Sequence, residues 1–349
     1  MKLVKGILLQ DFRSFTQKAI SFAERTLLFG KNGAGKTSII EAIHLLAHGE
    51  SFRAKVIEEM IAFDKDISRV GGKIGEETLE IALTRGVIQG KRTPKTHYSL
   101  NGTKKRQKDF LGQFFTVTFR PEDMRLIEGS PGRRRAFMDE VLSATDIQYA
   151  QSLHMYDQAL KRINRFLELV RDGSQPKSVL QYWEMMLIKH GKYLQEKRQA
   201  FFSFLRTVEF PFDFNVKYII SSINDDEVSS RREKAIAAGH LLIGPHKDDL
   251  QVLFASSHLE NRDVAAFGSR GQQRLGVLWL KLGELQFVES YQDQKPVFLL
   301  DDIFSELDEA AQNMVLELVP KYQTIITTAH EETVEFLAEK ISDLKIVNM

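Results

Sequence analysis

TLLFGKNGAGKTSIIEAIHLLA, residues 26–47, decides how the chain must fold around it: an apolar strand runs through GKNGAGKT, residues 30–37, straight into a helix. Glycines in such a loop let successive backbone N–H groups turn inward on an anion, and the helix start adds positive potential at the same place. In this strand, loop, helix context the pattern is a phosphate loop for a nucleoside triphosphate. Lys36 is expected to reach the β and γ phosphates, and Thr37 to offer a hydroxyl to Mg²⁺. Gly30, Lys31, Asn32, Gly33, Ala34, Gly35 and Ser38 complete the expected phosphate contacts. ATP and Mg²⁺ are therefore the cofactors to look for.

With 349 residues and 43% apolar content, the chain exceeds what one hydrophobic core usually organises, so two lobes are expected. Cysteine is absent, which excludes disulfides and thiolate metal sites and suits the reducing cytoplasm. The opening MKLVKGILLQDF alternates apolar and polar residues and meets an acid by Asp11, unlike a signal peptide. No apolar run is long enough for a membrane span, and membrane insertion is set aside. Net charge is only +1, so its distribution matters more than its sum. KRTPKTHYSLNGTKKRQK, residues 91–108, holds seven basic residues and no acid, with Arg133, Arg134 and Arg135 soon after. This stripe is either an electrostatic footprint for DNA or a solvated hairpin turning at Asn101 and Gly102.

Around the phosphate loop the first hundred residues read as short strands with turn punctuation and one helix over residues 37–47. Residues 143–171 place Leu153, Tyr156, Leu160, Ile163, Leu167 and Val170 at alternating steps of three and four, predicting one long helix. The cluster DGSQPKS breaks it at residues 172–178, and a second helical pattern follows over residues 179–205. Together these predict a helical hairpin of about 28 residues per arm, roughly 42 Å long. Strands and a buried helix resume after Arg231. The expected division is residues 1–118 with 237–349 as a nucleotide-binding head, and residues 119–236 as an inserted helical lobe.

PVFLLDD, residues 296–302, is an apolar strand ending in two carboxylates, the arrangement that sets an acid beside Mg²⁺. Asp301 is assigned to the metal and Asp302 to the attacking water, with slow hydrolysis expected because aspartate reaches less far than glutamate. GSRGQQR, residues 268–274, then opens a strongly apolar helix more than two hundred residues after the phosphate loop. This combination resembles the ABC-type ATPases of DNA maintenance, whose signature segment starts such a helix. The resemblance implies that Ser269, Gly271 and Gln272 contact the γ-phosphate held by a second subunit, so that two heads sandwich two ATP molecules. SELD, residues 305–308, is either a loop crossing that dimer interface or a plain helix cap, and His330 in TTAH either senses the γ-phosphate or lies at the surface.

DFRSF, EAIHLLAHGESFR, FRPEDMRLIEGSPGRRRAFMDE, GPHKDDL and GSRGQQR together resemble the bacterial RecF recombination-mediator family across nearly the whole chain. The fold implied is α/β, an ABC-type P-loop ATPase head (an α+β subdomain plus a parallel-sheet core) with an inserted helical lobe, compact where SMC and Rad50-like relatives carry long arms. The activity implied is an ATP-dependent homodimer that closes on double-stranded DNA near single-strand gaps, hydrolyses ATP slowly and helps the partners RecO and RecR load recombinase. Arg13 in DFRSF is, by the same resemblance, a candidate adenine contact. GPHKDDL, residues 244–250, reads as a turn with capping or docking aspartates. Two other functions share the nucleotide chemistry: a transporter-energising ATPase, whose signature usually lies much closer to the phosphate loop, and a non-hydrolysing nucleotide-gated scaffold.

Overall fold

β1 (Val4–Phe12) buries Val4, Ile7, Leu9 and Phe12 along one face and pairs antiparallel with β2 (Phe15–Ser21). After β3 (Arg25–Phe29) comes α1 (Lys36–His48), a helix buried on nearly every side and closed by Gly49 in the left-handed conformation. The computed structural model describes residues 2–256, 259–292 and 294–349. β4 (Ile67–Ile74), β5 (Glu77–Thr84), a two-stranded ribbon of β6 (Val87–Ile88) and β7 (Lys91–Arg92), then β8 (Thr96–Leu100) and β9 (Thr103–Lys105) follow. The β8–β9 turn carries φ 51° at Asn101 and 75° at Gly102, the two positive angles that the Asn-Gly pair predicts. β2, β1, β4, β5, β8 and β9 form one antiparallel sheet in that order. The short α2 (Gln107–Phe110) leads to β10 (Thr116–Phe119), a wholly buried strand.

The chain then enters a second compact unit, Met124–Phe287. α3 (Pro131–Thr145) and α4 (Ile147–Arg171) replace the single helix expected from residue 143. Asp146 divides them: its carboxylate accepts the Gln148 and Tyr149 N–H groups, the Tyr193 hydroxyl at 2.8 Å and Lys197 at 3.0 Å. Burial opposes the charge on Asp146, but these donors outweigh it and hold the carboxyl below its usual range. The buried stripe of α4 is Tyr149, Ser152, Tyr156, Ala159, Ile163 and Leu167, so Leu153, Leu160 and Val170 of the expected seam are only half-buried. A helix packed by α3 and by α5 (Leu180–Leu205) follows the 3.6-residue period and not a two-stranded seam. α4 and α5 are the expected hairpin, 25 and 26 residues long.

β11 (Phe214–Ile219), α6 (Asp225–Ala238), β12 (Asp249–Ser256), β13 (Leu259–Asp263), α7 (Val264–Phe267) and α8 (Arg270–Gln292) complete that stretch. Here the structure departs from the expected boundary, because the return to the first unit falls at Val288 and not at residue 237. β12 pairs with β11 from Phe214↔Phe254 to Ile219↔Asp249, Trp279 of α8 stacks on Phe214, and Phe287 of α8 meets Phe201 edge to face. A strand cannot be separated from its ladder partner, so residues 237–287 stay with the helices.

β14 (Val297–Asp301), α9 (Glu309–Leu318), β15 (Thr324–Thr328), α10 (Glu331–Lys340) and β16 (Lys345–Asn348) return to the first unit. All pairings in the second sheet are parallel, in the order β10, β14, β15, β3, β16. Asp301 pairs with Thr327 and Thr327 with Leu28, so the carboxyl ends of β14, β15 and β3 share the edge where the phosphate loop begins.

Candidate nucleotide-binding site

Gly33 and Gly35 take φ 84° and 93°, and Gly35 caps α1 with no side chain, leaving the first amides of the helix bare. A Cβ on Gly35 would also lie 2.3 Å from the Phe15 ring, so no other residue fits. Lys36 is 7% exposed and donates to the carbonyls of Gly30 at 2.6 Å and Lys31 at 3.1 Å, while Ala34 N–H donates to Lys31 O. The loop is thus held in a ring by its own lysine. A cleft of about 850 Å³ opens over it, lined by Asn32, Gly33, Gly35, Lys36, Thr37 and Ser38 of the loop and by Asp301, Asp302 and Thr327 of the sheet edge.

Asp301 Oδ1 accepts from Thr327 Oγ1 at 2.8 Å and from Thr37 Oγ1 at 3.1 Å. Burial pushes its carboxyl above the usual range; the two hydroxyls oppose that, and the charges of Asp302 and Glu122 add to it. Asp302 sits in the left-handed region at φ 52°, its N–H donating to Thr327 Oγ1 at 3.0 Å, and its Oδ1 is buried without a hydrogen-bond partner among the described residues. A hydroxyl and a carboxylate 3.1 Å apart beside an unsatisfied carboxylate oxygen are hard donors of the kind Mg²⁺ takes, with phosphate oxygens and water completing the shell. No group of three or more acidic, histidine or cysteine ligands exists among the described residues. Thr37 and Asp301 therefore fit Mg²⁺, with Asp302 beside them.

Arg13 also lines the cleft, but its guanidinium is committed: Nε and Nη2 grip the fully buried Glu41, the first at 2.8 Å, and Nη1 donates to Glu59 O at 2.6 Å. His330 is exposed at the start of α10 and is not among the residues lining the cleft. Of SELD, Asp308 caps α9 through Ala311 N–H, and Ser305 Oγ donates to Asp302 O at 2.8 Å. Sequence reasoning missed the lining residues Thr327, Ser14, Arg53, Glu58, Glu59, Ile61, Phe63 and Arg85, and also Glu122, whose charge acts on Asp301.

The chain matches the RecF/RecN/SMC N-terminal domain model over residues 3–348. It is 30% identical to the DNA replication and repair protein RecF of Thermoanaerobacter sp. (strain X514) over 353 residues, 93% of each chain. The chain belongs to the RecF family. RecF of Bacillus thuringiensis (strain Al Hakam) is 29% identical over 371 residues, 99% of this chain and 96% of that one. Among solved structures, one described as the recombination mediator protein RecF with ATP in the RecFOR pathway superposes with a TM-score of 0.81 at 25% identity, covering 99% and 95%. An Smc head domain from Pyrococcus furiosus shares the fold more distantly, with a TM-score of 0.51 at 17% identity and coverage of 100% and 93%. The RecF-family fold is thus an ABC-type ATPase head with a helical lobe.

The segment expected as the family's signature lies in the second unit. Ser269 and Gln272 form a reciprocal capping box at the start of α8: Ser269 N–H donates to Gln272 Oε1 at 2.8 Å, and Gln272 N–H donates to Ser269 Oγ at 3.3 Å. Ser269 is exposed, and Gly271 and Gln272 are half-buried. None of the three lines the cleft.

The basic segments divide. Lys91, Arg92, Lys104 and Lys108 are exposed and Lys105 is half-buried, and none of the five makes an ion pair among the described residues, whereas Lys95 pairs with Glu58 and Arg106 with Asp109. Arg134 is instead built into the second unit, gripping Asp249 at 2.6 and 2.8 Å and two carbonyls, and Arg135 donates to Asp248 O at 2.8 Å. Arg134 is therefore committed to the unit's own acid and carbonyls, and Arg135 spends one donor on a carbonyl. GPHKDDL supplies the centre of the same network. Asp248 is fully buried and accepts from Arg198, Gln195, Tyr218 and the Ser221 amide.

Proposed function

We propose that this chain is an ATP-dependent DNA-binding protein of recombinational repair and replication restart, acting as a homodimer that ATP assembles and slow hydrolysis releases. The observation that carries this reading is a division of parts: among the described residues, all that line the phosphate cleft belong to the first unit, while Ser269, Gly271 and Gln272 belong to the second, at an accessible helix start. In two copies facing head to tail, each signature would meet the γ-phosphate held by the other. Ser269 suits that role because its oxygen already accepts from Gln272, leaving its proton to donate. Lys36 would exchange the Gly30 and Lys31 carbonyls for phosphate oxygens.

Mg²⁺, when bound through Thr37 and Asp301, would neutralise charge across the β and γ phosphates. Asp302 would hold the attacking water through its otherwise unsatisfied Oδ1. The exposed lysines of the β7 and β9 region would contact duplex phosphates irrespective of sequence, as recognition of a gap requires. RecO and RecR are the partners proposed from the family, and the cytoplasm is the proposed setting; no helix among the described residues is long and apolar enough to cross a membrane.

Sedimentation velocity with and without Mg²⁺-ATP and a short duplex tests this, comparing the natural chain with Ser269→Arg. The natural chain is expected to dimerise only with ATP and to retain duplex as a dimer. Ser269→Arg should bind ATP yet stay monomeric. A natural chain that hydrolyses ATP while remaining monomeric throughout refutes the shared site.

A further inference from the structure

Phe63 is 89% exposed, more than any other large hydrophobic side chain among the described residues, and it lines the nucleotide cleft. It is also the one aromatic side chain lining that cleft among those residues. An exposed apolar side chain is unremarkable alone, and what sets Phe63 apart is that its ring is bare to solvent at the wall of the phosphate cleft.

The backbone beneath Phe63 is fixed. Phe12 and Ile61 form an antiparallel bridge, Ala62 N–H donates to Asp11 O at 2.8 Å, and Arg13 N–H donates to Met60 O at 2.9 Å. Lys65 N–H closes a turn onto Ala62 O at 3.1 Å, with Phe63 and Asp64 at its tip and Asp64 at φ 61°. The turn is thus pinned to the end of β1, the same strand end that carries Arg13, and Arg13 is itself clamped by Glu41 and Glu59 O. A flat apolar ring and a flat guanidinium are presented from one rigid backbone frame.

We propose that Phe63 is the platform on which the purine of the bound nucleotide stacks, with Arg13 supplying a second planar surface on the same wall. The inference rests on the nucleotide reading of the cleft and deepens it. Lys36, Thr37 and the loop amides recognise only charge and phosphate geometry, so they cannot tell ATP from any other triphosphate. Base identity needs a broad π surface, and Phe63 is the group that offers one. Arg13, with its polar edge occupied by Glu41 and Glu59, is left to act through its face.

Calorimetric titration with ATP and with inorganic tripolyphosphate separates the base from the phosphates. Phe63→Ala should bind ATP about tenfold to a hundredfold more weakly, the loss of one base–aromatic stack, and tripolyphosphate as the natural chain does. Phe63→Trp should restore ATP affinity, and its added indole fluorescence, over that of Trp183 and Trp279, should be quenched by ATP and not by tripolyphosphate. Unchanged ATP affinity in Phe63→Ala overturns the proposal while leaving the phosphate loop intact. Equal losses for both ligands overturn it as well, because Phe63 would then shape the loop and not touch the base. Failure of the natural chain to bind ATP, with Lys36→Ala no different, would overturn the nucleotide reading and this proposal with it.

Discussion

Replacing Arg198 by methionine should remove a large part of the stability of the second unit. Arg198 is 1% exposed and donates to Tyr149 OH at 3.0 Å, Pro245 O at 2.8 Å, Asp248 Oδ2 at 2.9 Å and Asp139 Oδ1 at 2.8 Å. Methionine fills much of the same volume, so the loss is chiefly electrostatic. Asp248 would keep its Gln195, Tyr218 and Ser221 donors but no countercharge, with none of its surface in water. Breaking a buried pair from one side costs about 3–5 kcal/mol, against a total stability of about 5–15 kcal/mol for a typical domain.

The loss should depend on pH in a definite direction. Burial already holds the Asp248 carboxyl above its usual range, despite the opposing pull of Tyr218, Ser221 and Arg198. Without the guanidinium it rises further, so the folded chain binds that proton more tightly than the unfolded chain does. Stability of Arg198→Met should therefore fall as pH rises through the raised value, and the gap from the natural chain should narrow toward about pH 5. Urea unfolding at two pH values, with Arg198→Met/Asp248→Asn as partner variant, measures this. The second change should recover about 2 kcal/mol or more by removing the stranded charge. A loss below about 1 kcal/mol, or one that neither low pH nor Asp248→Asn reduces, refutes the account.

Asp301→Asn tests the opposite balance at the nucleotide site. Because burial raises the Asp301 carboxyl, its ionised form weakens the fold as pH climbs above the ordinary carboxylate range, while asparagine still accepts from Thr327 and Thr37. The variant should melt at a higher temperature without ligand, equivalent to about 1 kcal/mol, and lose Mg²⁺-dependent hydrolysis; a lower melting temperature contradicts this. Lys104→Ala/Lys105→Ala should weaken duplex binding and flatten the plot of log affinity against log salt by about 0.9 per lysine, and an unchanged slope points to another surface.

The phosphate loop, the parallel strands and the helical hairpin are legible in sequence because each depends on local chemistry: glycine conformations, unbroken apolar runs and a polar break. The position of Val288 as the boundary is not legible, since it follows from β11 pairing with a strand some thirty residues away, and the pattern of β12 does not name its partner. Asp146 escapes notice for a different reason: it caps α4 through the nearby Gln148 and Tyr149 N–H groups, and the Tyr193 and Lys197 contacts that hold its other oxygen come from α5. At the site, Thr327 becomes a partner of Asp301 through sheet register, and Phe63 is distinguished by its exposure, which composition cannot reveal. For Arg134, DNA contact and pairing with an acid of the chain are equally open in the sequence, and the pairing with Asp249 appears only in the folded unit.

The backbone at Asp302 bears on the choice of acid itself. A left-handed φ of 52° costs most L-residues roughly 1–2 kcal/mol, and aspartate and asparagine visit it more readily than residues with longer side chains. A glutamate substituted there would gain reach toward a water molecule only by straining the chain that holds it. Under the role proposed for Asp302, the shorter acid is the one that this backbone accommodates at the lower cost. It is the residue the turn admits, so evolution toward rapid turnover would have to rebuild the end of a strand before it could exchange the side chain.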